Sequence, residues 1–366
     1  MNRFISLLLG VLFFSANAQE EKVNPFSITA SYGYGTLLEH SPDIGHLITA
    51  HPTVLFVSYD RKTFGDDNWS QAFNYPDFGA SFAYQNTGNV SLGDLYGLYG
   101  HFNFYFFQRH LMLGLGTGMA YATNPYDADD NFRNTAYGTR FTGSTYIKLV
   151  GKKEQLLENL GVEGGLTLIH YSNGNFKAPN NSTNSVLFNV GLNYVLGKDN
   201  KAYIQKEDST SYREPIRLVA ALRGGFHSSD VIGSGQYPFY IITGMAEKRL
   251  SRKSAVQAGA EIFFSEMLEE FIRYRGIAFP EDNIQGDEDA KRAGIFIGYR
   301  LIFNKISTYA NAGYYVYYPV DFEGRFYTRL GLQYDINDQW FTSVSVKSHA
   351  ANAEAVELTL GYRFKK

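Results

Sequence analysis

Val356-Glu357-Leu358-Thr359-Leu360-Gly361-Tyr362-Arg363-Phe364 alternates with a period of two. In an extended chain, Val356, Leu358, Leu360, Tyr362 and Phe364 share one face, and Glu357, Thr359, Gly361 and Arg363 share the other. An apolar face backed by a charged one suits a strand with lipid on one side and a polar lumen on the other. The same division recurs near Val186. There Val186, Phe188, Val190, Leu192 and Tyr194 oppose Asn189, Gly191 and Asn193. From Phe26 onward the unit repeats as roughly ten alternating residues followed by a polar turn.

This repeat predicts strands near 26–38, 49–62, 76–86, 93–107, 110–122, 136–150, 157–171, 184–197, 215–228, 236–250, 254–265, 291–304, 308–319, 323–335, 339–349 and 353–364. The fold expected is all-β: one antiparallel transmembrane outer-membrane β-barrel of about 12–16 strands, occupying 19–366 as a single domain. Composition agrees. The chain holds 28 Tyr, 29 Phe and 36 Gly against 10 Pro. Tyrosine suits the two membrane–water interfaces. No uninterrupted apolar segment is long enough for a spanning helix.

The N-terminus reads as an export signal over 1–18. Arg3 supplies the charge, Phe4 to Phe14 the short apolar run, and Ala16-Asn17-Ala18 the cleavage signal. With no cysteine, a lipoprotein anchor at that site, a disulfide framework and thiolate chemistry are all excluded. A net charge of -3 without a basic tract argues against a nucleic-acid partner.

Loop lengths test the topology. If odd strands run outward, the turns after even strands should be short. Gln108-Arg109, Ser251-Arg252-Lys253, Asn304-Lys305 and Ile336-Asn337-Asp338 are short. Phe64–Tyr75 and Gly197–Glu214 are long exceptions. Lys198–Glu214 is polar enough to mark a boundary, but strands flank it, so it reads as a long turn.

The chemistry concentrates in His170-Tyr171-Ser172-Asn173-Gly174-Asn175-Phe176-Lys177-Ala178-Pro179-Asn180, at the outer end of the seventh strand. His170 and Ser172 point to one face, roughly 7 Å apart along the backbone. A serine with an adjacent imidazole is the minimum for acyl transfer. Leu166 and Leu168 share that face, whereas Glu163 and Thr167 lie opposite. The pair therefore belongs on the outside wall, where a lipid substrate would be met. His-x-Ser alone is weak, and the chain contains another in His227-Ser228-Ser229-Asp230.

His170-Tyr171-Ser172-Asn173, followed after five residues by Pro179-Asn180, resembles the signature of the lipid A 3-O-deacylases (PagL-like). His227-Ser228-Ser229 lacks those further matches. The resemblance implies an outer-membrane barrel that hydrolyses the 3-O acyl ester of lipid A at a lipid-facing site, as a serine carboxylic-ester hydrolase. By it, Ser172 is the nucleophile, His170 the general base, Asn180 an oxyanion-holding residue and Asn173 a supporting one. The partner implied is lipid A or lipopolysaccharide of the outer leaflet, and no cofactor is implied.

The chain departs from that pattern twice. Small deacylases carry a Glu as third triad member, and the matching residue here is Asn184. An Asn can orient an imidazole but brings no charge. Either Ser172, His170 and Asn184 form a neutral triad of reduced power, or another acid approaches, with Glu39, Asp43 and Asp94 at outer strand ends, or activity is lost. The chain is also longer. It resembles the extended Bacteroidetes-type relatives labelled acyloxyacyl hydrolases, as do Glu39-His40-Ser41, Gly45-His46-Leu47, His51-Pro52, Trp69 and Asn74-Tyr75-Pro76-Asp77-Phe78-Gly79.

Other features are structural in this reading. Gly114-x-Gly116-x-Gly118 lies inside a strand with no helix after it, which argues against nucleotide binding. Ser265–Ile272 reads as a short amphipathic helix in an outer loop, with Leu268, Phe271 and Ile272 on one face. Lys347 and His349 fit a lumen or interface role. No His/Asp/Glu cluster has zinc-site spacing, so no catalytic metal is expected. The competing function is non-enzymatic: a barrel acting as a channel or as a structural or assembly partner, with a degenerate deacylase site.

Overall fold

The computed structural model describes residues 25–197, 202–205, 214–279, 281, 283–350 and 352–365. The expected export signal lies outside the described residues.

Sixteen strands form, and they close into two rings. β1 (Phe26–Leu37), β2 (Thr53–Arg61), β3 (Asp77–Asn86), β4 (Asp94–Phe106), β5 (Leu111–Ala122), β6 (Phe141–Leu157), β7 (Leu160–Ser172) and β8 (Thr183–Leu196) make the first barrel. β9 (Arg217–His227), β10 (Tyr237–Ser251), β11 (Ser254–Ser265), β12 (Arg292–Phe303), β13 (Ile306–Tyr317), β14 (Phe326–Asp335), β15 (Trp340–His349) and β16 (Asn352–Arg363) make the second. Every pairing is antiparallel. β8 returns to β1 from Phe26↔Leu196 to Leu37↔Ser185, and β16 returns to β9 from Leu358↔Gly224 to Arg363↔Val219.

The single barrel expected over 19–366 is therefore corrected to two eight-stranded barrels. Alternation is the same in one ring of sixteen as in two of eight. What differs is which remote edges pair, and no local pattern reports that. The clue was the stretch after the eighth strand. It is the crossing between barrels rather than a long turn.

Both long exceptions in the loop pattern have one explanation. Residues 62–76 carry the short helix α1 (Asn68–Ala72) and receive the linker. Ile204 N–H donates to Phe64 O at 2.7 Å, and the Tyr203 ring packs on Phe64 and Tyr75. The same loop reaches the second barrel, where Phe303 packs on Phe73, Phe102 and Phe104. This is the linker end of the molecule. Odd strands run from it toward the opposite end, called here the site end.

Both lumens are filled. In the first, Lys148 pairs with Glu163 at 2.6 Å, His101 with Asp60 at 2.7 Å, and Arg109 with Asp77 at 2.7 Å. The cavity among Asp60, His101, Tyr146 and Glu163 holds about 20 Å³, room for about one water. Nearer the site end, Tyr99, Tyr137, Tyr146, Ile169 and Tyr171 pack into a buried cluster.

In the second lumen Arg329 bridges Glu261 at 3.0 Å and Glu357 at 2.6 Å, all three fully buried. Arg363 joins Asp335 at 2.7 Å. Lys347, His349 and Arg292 converge on Glu354, at 2.6, 2.7 and 2.5 Å. Lys347 and His349 thus serve the lumen, as expected. Eight strands leave an interior just wide enough for side chains, so these ions must satisfy one another there.

Outward positions are apolar on both barrels: Leu98, Phe188 and Leu192 on the first, Leu222, Ile297 and Leu358 on the second, all exposed. The second barrel is capped at the site end by α2 (Glu266–Ala278), whose N-cap Ser265 accepts from Leu268 N–H at 3.2 Å. The helix expected from Ser265 thus forms and runs a turn and a half further. Leu268, Phe271 and Ile272 do share a face, and it packs on Ala290, Val320 and Phe322.

Two outcomes follow. Arg329→Met leaves Glu261 and Glu357 buried without their cation and is expected to lower stability by about 3–5 kcal/mol. The exposed pair partner Lys291, replaced by Met, should change it by less than about 1 kcal/mol. Urea unfolding from lipid vesicles measures both, and equal small effects would contradict the buried network. In planar bilayers the protein should give no steady open-channel conductance; a stable ohmic pore would contradict filled lumens.

Candidate functional site

The site is assembled at the end of β7. Thr167, Ile169 and Tyr171 are buried inside the barrel, so His170 and Ser172 emerge on the outer wall above exposed Leu166. The register between β7 and β8 sets Asn184 directly opposite His170. His170 Nδ1–H donates to Asn184 Oδ1 at 2.8 Å. Among the described residues Nε2 has no hydrogen-bond partner, which leaves it as the basic nitrogen.

A further imidazole stands behind Asn184. Its Nδ2–H donates to His40 Nδ1 at 3.2 Å, and His40 Nε2 reaches Asn181 O at 3.0 Å and Ser182 Oγ at 3.2 Å. With His40 Nδ1 as the acceptor the donors run from His170 to Asn184, from Asn184 to His40 and from His40 to the backbone of Asn181; Leu38 O, at 3.3 Å from the same Nδ1, competes for it in the other tautomer. With Nδ1 donating to Asn184, the neutral imidazole carries its lone pair on Nε2. His40 comes from the segment just after β1, beside β8 because the first barrel closes there. Sequence reading quoted His40 only as part of a family-like tract and gave it no role.

The other acids considered go elsewhere. Asp94 accepts from Tyr84 and Asn86, and Asp43 faces Ser41 in the turn at Pro42–Leu47. Glu39 stands against Gly45. Among the described hydrogen bonds, none of the three reaches His170.

Ser172 is held by the loop that follows it. Its hydroxyl donates to Asn180 Oδ1 at 3.0 Å and accepts from Gly174 N–H at 3.0 Å. Asn180 Oδ1 also takes Asn173 N–H at 2.8 Å, which fixes the orientation of that amide. Asn180 therefore turns its oxygen, not its nitrogen, toward Ser172. Asn173 braces the loop through Nδ2–H to Lys177 O at 2.6 Å, and its own Oδ1 is buried with no partner among the described residues. Among the described hydrogen bonds, none joins Ser172 to His170. The expected residues are gathered in one place, with the serine proton resting on Asn180.

Below the site Tyr137 is fully buried, hydrogen-bonded to Thr183, and burial pushes its hydroxyl well above the usual tyrosine range. It stays neutral and serves packing. The tract around Trp69 and Asp77 lies at the linker end, where Trp69 packs on Phe78 and Phe102 and Asp77 holds Arg109. Its resemblance to longer relatives concerns architecture, not this site.

The first barrel matches the family model described as lipid A 3-O-deacylase (PagL), over residues 53–193. The second matches the model described as acyloxyacyl hydrolase, C-terminal domain, over residues 216–366. Solved structures similar to the chain include a mutant porin of Rh. blastica, at 10% identity and a TM-score of 0.19, covering 93% of this chain and 99% of that one. The KdgM porin is similar at 8% identity and a TM-score of 0.19, with 92% and 99% covered. Those superpositions are too loose to bear on the fold or the site. No curated protein matches. The two family matches divide where the two barrels divide, and together they span most of the sequence: the chain belongs to the lipid A 3-O-deacylase family of ester hydrolases, with the acyloxyacyl hydrolase C-terminal domain as its second barrel.

Proposed function

We propose that the protein is an outer-membrane esterase that removes the 3-O acyl chain from lipid A or lipopolysaccharide, with Ser172 as nucleophile and His170 as general base. The observation that carries this reading is the outward-facing group of His170, Asn184, Ser172 and the 173–180 loop, inside the segment matched by the deacylase model. The apolar outer surfaces of both barrels support a membrane setting. The export signal expected at 1–18 supports delivery across the inner membrane, as an outer-membrane barrel requires.

In the proposed reaction the serine hydroxyl turns from Asn180 toward the free Nε2 of His170. Hydrogen bonds of this kind commonly tighten only when substrate is bound. Nε2 takes the serine proton as Oγ attacks the ester carbonyl. Gly174 N–H, which donates to Oγ before the hydroxyl turns, is the donor proposed for the oxyanion that forms on the ester's carbonyl oxygen. The proton on His170 passes to the departing sugar oxygen, leaving an acyl-serine. Water, deprotonated by His170, then releases the fatty acid. Asn184 holds the imidazole in its reactive tautomer throughout.

One observation favours the competing, non-enzymatic reading: the third member is neutral and the serine proton points away from His170. Filled lumens disfavour its channel form, leaving a structural or assembly role.

Lipopolysaccharide incubated with the purified protein and examined by mass spectrometry decides between them. Loss of one ester-linked acyl chain is expected, and Ser172→Ala should reduce it by about 10³-fold or more. No loss, or equal loss in the variant, refutes the esterase. The neutral triad makes a second prediction. Asn184→Leu should lower kcat by about 10²-fold, whereas Asn184→Glu should raise it above the parent by supplying the charge that steadies imidazolium. A Leu variant as fast as the parent would remove Asn184 from the mechanism.

A further inference from the structure

The second barrel touches the loop that carries the oxyanion donor. Gly174 and Asn175 both adopt left-handed backbone, at φ of 61° and 62°. A Cβ on Gly174 would lie 2.4 Å from Val356 Cγ2 of β16, so only glycine fits this turn and this approach. Ser228 N–H donates to Asn175 O at 2.9 Å. Asn175 Nδ2–H donates to Asp230 Oδ1 at 3.1 Å. Ala178 N–H donates to Ser228 Oγ at 2.9 Å, and Gln236 Nε2–H to Phe176 O at 2.7 Å.

The loop is thus held from two sides. Its far part belongs to the first barrel: Gly138 N–H donates to Pro179 O at 2.7 Å, and Asn181 and Ser182 N–H donate to Thr135 and Ala136 at 3.2 Å. Its near part, Asn175 to Ala178, is anchored by the second barrel. That part fixes Gly174 on one side and, through Asn173 Nδ2 and Lys177 O, Asn173 on the other. Ser228 is the middle residue of the second His-x-Ser of the chain, His227-Ser228-Ser229. His227 turns into the second lumen, where Nε2 meets Ser265 Oγ at 3.0 Å. Ser228, 2% exposed, turns the other way and donates its own proton to Ser229 O at 2.9 Å.

We propose that the segment Ser228–Gln236 is a clamp for the oxyanion loop, with Ser228 and Asp230 as positioning residues, so that the Ser172 site is completed by the second barrel. The inference rests on the deacylase reading. Ser228 contributes a backbone donor to Asn175 and a side-chain acceptor to Ala178, the two ends of a four-residue stretch of the loop. Neither group touches substrate. Their effect is to keep Gly174 N–H directed at Oγ, and displacement of such a donor by about 1 Å is enough to slow an acyl transfer by about 10²-fold.

The test compares parent, Ser228→Ala and Ser228→Thr as full-length protein in detergent–lipid micelles. Lipopolysaccharide deacylation gives kcat and KM, amide hydrogen exchange follows residues 173–178, and heat-modifiable gel migration confirms that each variant is folded. Ser228→Ala should exchange faster over 173–178 and lose about tenfold or more in kcat with KM within about twofold. Ser228→Thr, which keeps the hydroxyl, should restore both. Unchanged exchange in Ser228→Ala overturns the clamp. So does faster exchange with kcat within twofold of the parent. An inactive parent overturns the deacylase reading and with it the catalytic role of the clamp, while exchange alone still decides whether the loop is held.

Discussion

The pairing of β8 with β1 is the interaction on which the candidate site depends. It joins twelve consecutive residue pairs, from Phe26↔Leu196 to Leu37↔Ser185. Because of it, the segment leaving β1 lies beside the start of β8, which lies beside the end of β7. His40, Asn184 and His170 come from those three neighbours in that order. In a ring of sixteen, β1 would close on β16 and His40 would stand far from Asn184. Closure at eight also dictates where chemistry can occur. The lumen is taken up by ion pairs and tyrosines, so in the proposed reaction a substrate-accessible serine must face outward, where the acyl chain of a lipid would lie.

The strands were legible because alternation is a local property. β11 spans Ser254–Ser265 as the pattern of residues required, and most other boundaries fall within a few residues. β6 runs on to Leu157 because Lys152 and Glu154 continue the alternation into the lumen, where Lys152 stands 3.6 Å from Glu154. Ring size was not legible. Closure joins Phe26 to Leu196, and no residue type announces a partner that remote. The breach of the short-turn rule at Gly197–Glu214 was the physical sign, since a turn between paired neighbours needs only a few residues. The facing of His170 and Ser172 followed from alternation alone, and their companion Asn184 from the family pattern. His40 was beyond reach, being 144 residues from its partner. Ser228 was passed over because it is the middle residue of His227-Ser228-Ser229, a motif weighed only for His227 and Ser229 as base and nucleophile. Its use is to hold another loop.

The neutral relay has a consequence for how charge is managed. A carboxylate at position 184 would sit on the outer wall next to the Leu168–Val186 pair, where the loss of water opposes its ionisation until imidazolium forms beside it. Asn184 avoids that penalty and still fixes the tautomer of His170. The cost falls on the transition state, because imidazolium forms without a fixed counterion. What opposes its charge is the oxyanion created in the same step. In a site of low dielectric, that pair attracts strongly only if its geometry is held. A triad without a carboxylate therefore relies more heavily on the loop that places the oxyanion donor, and at the site end that loop is gripped by the second barrel.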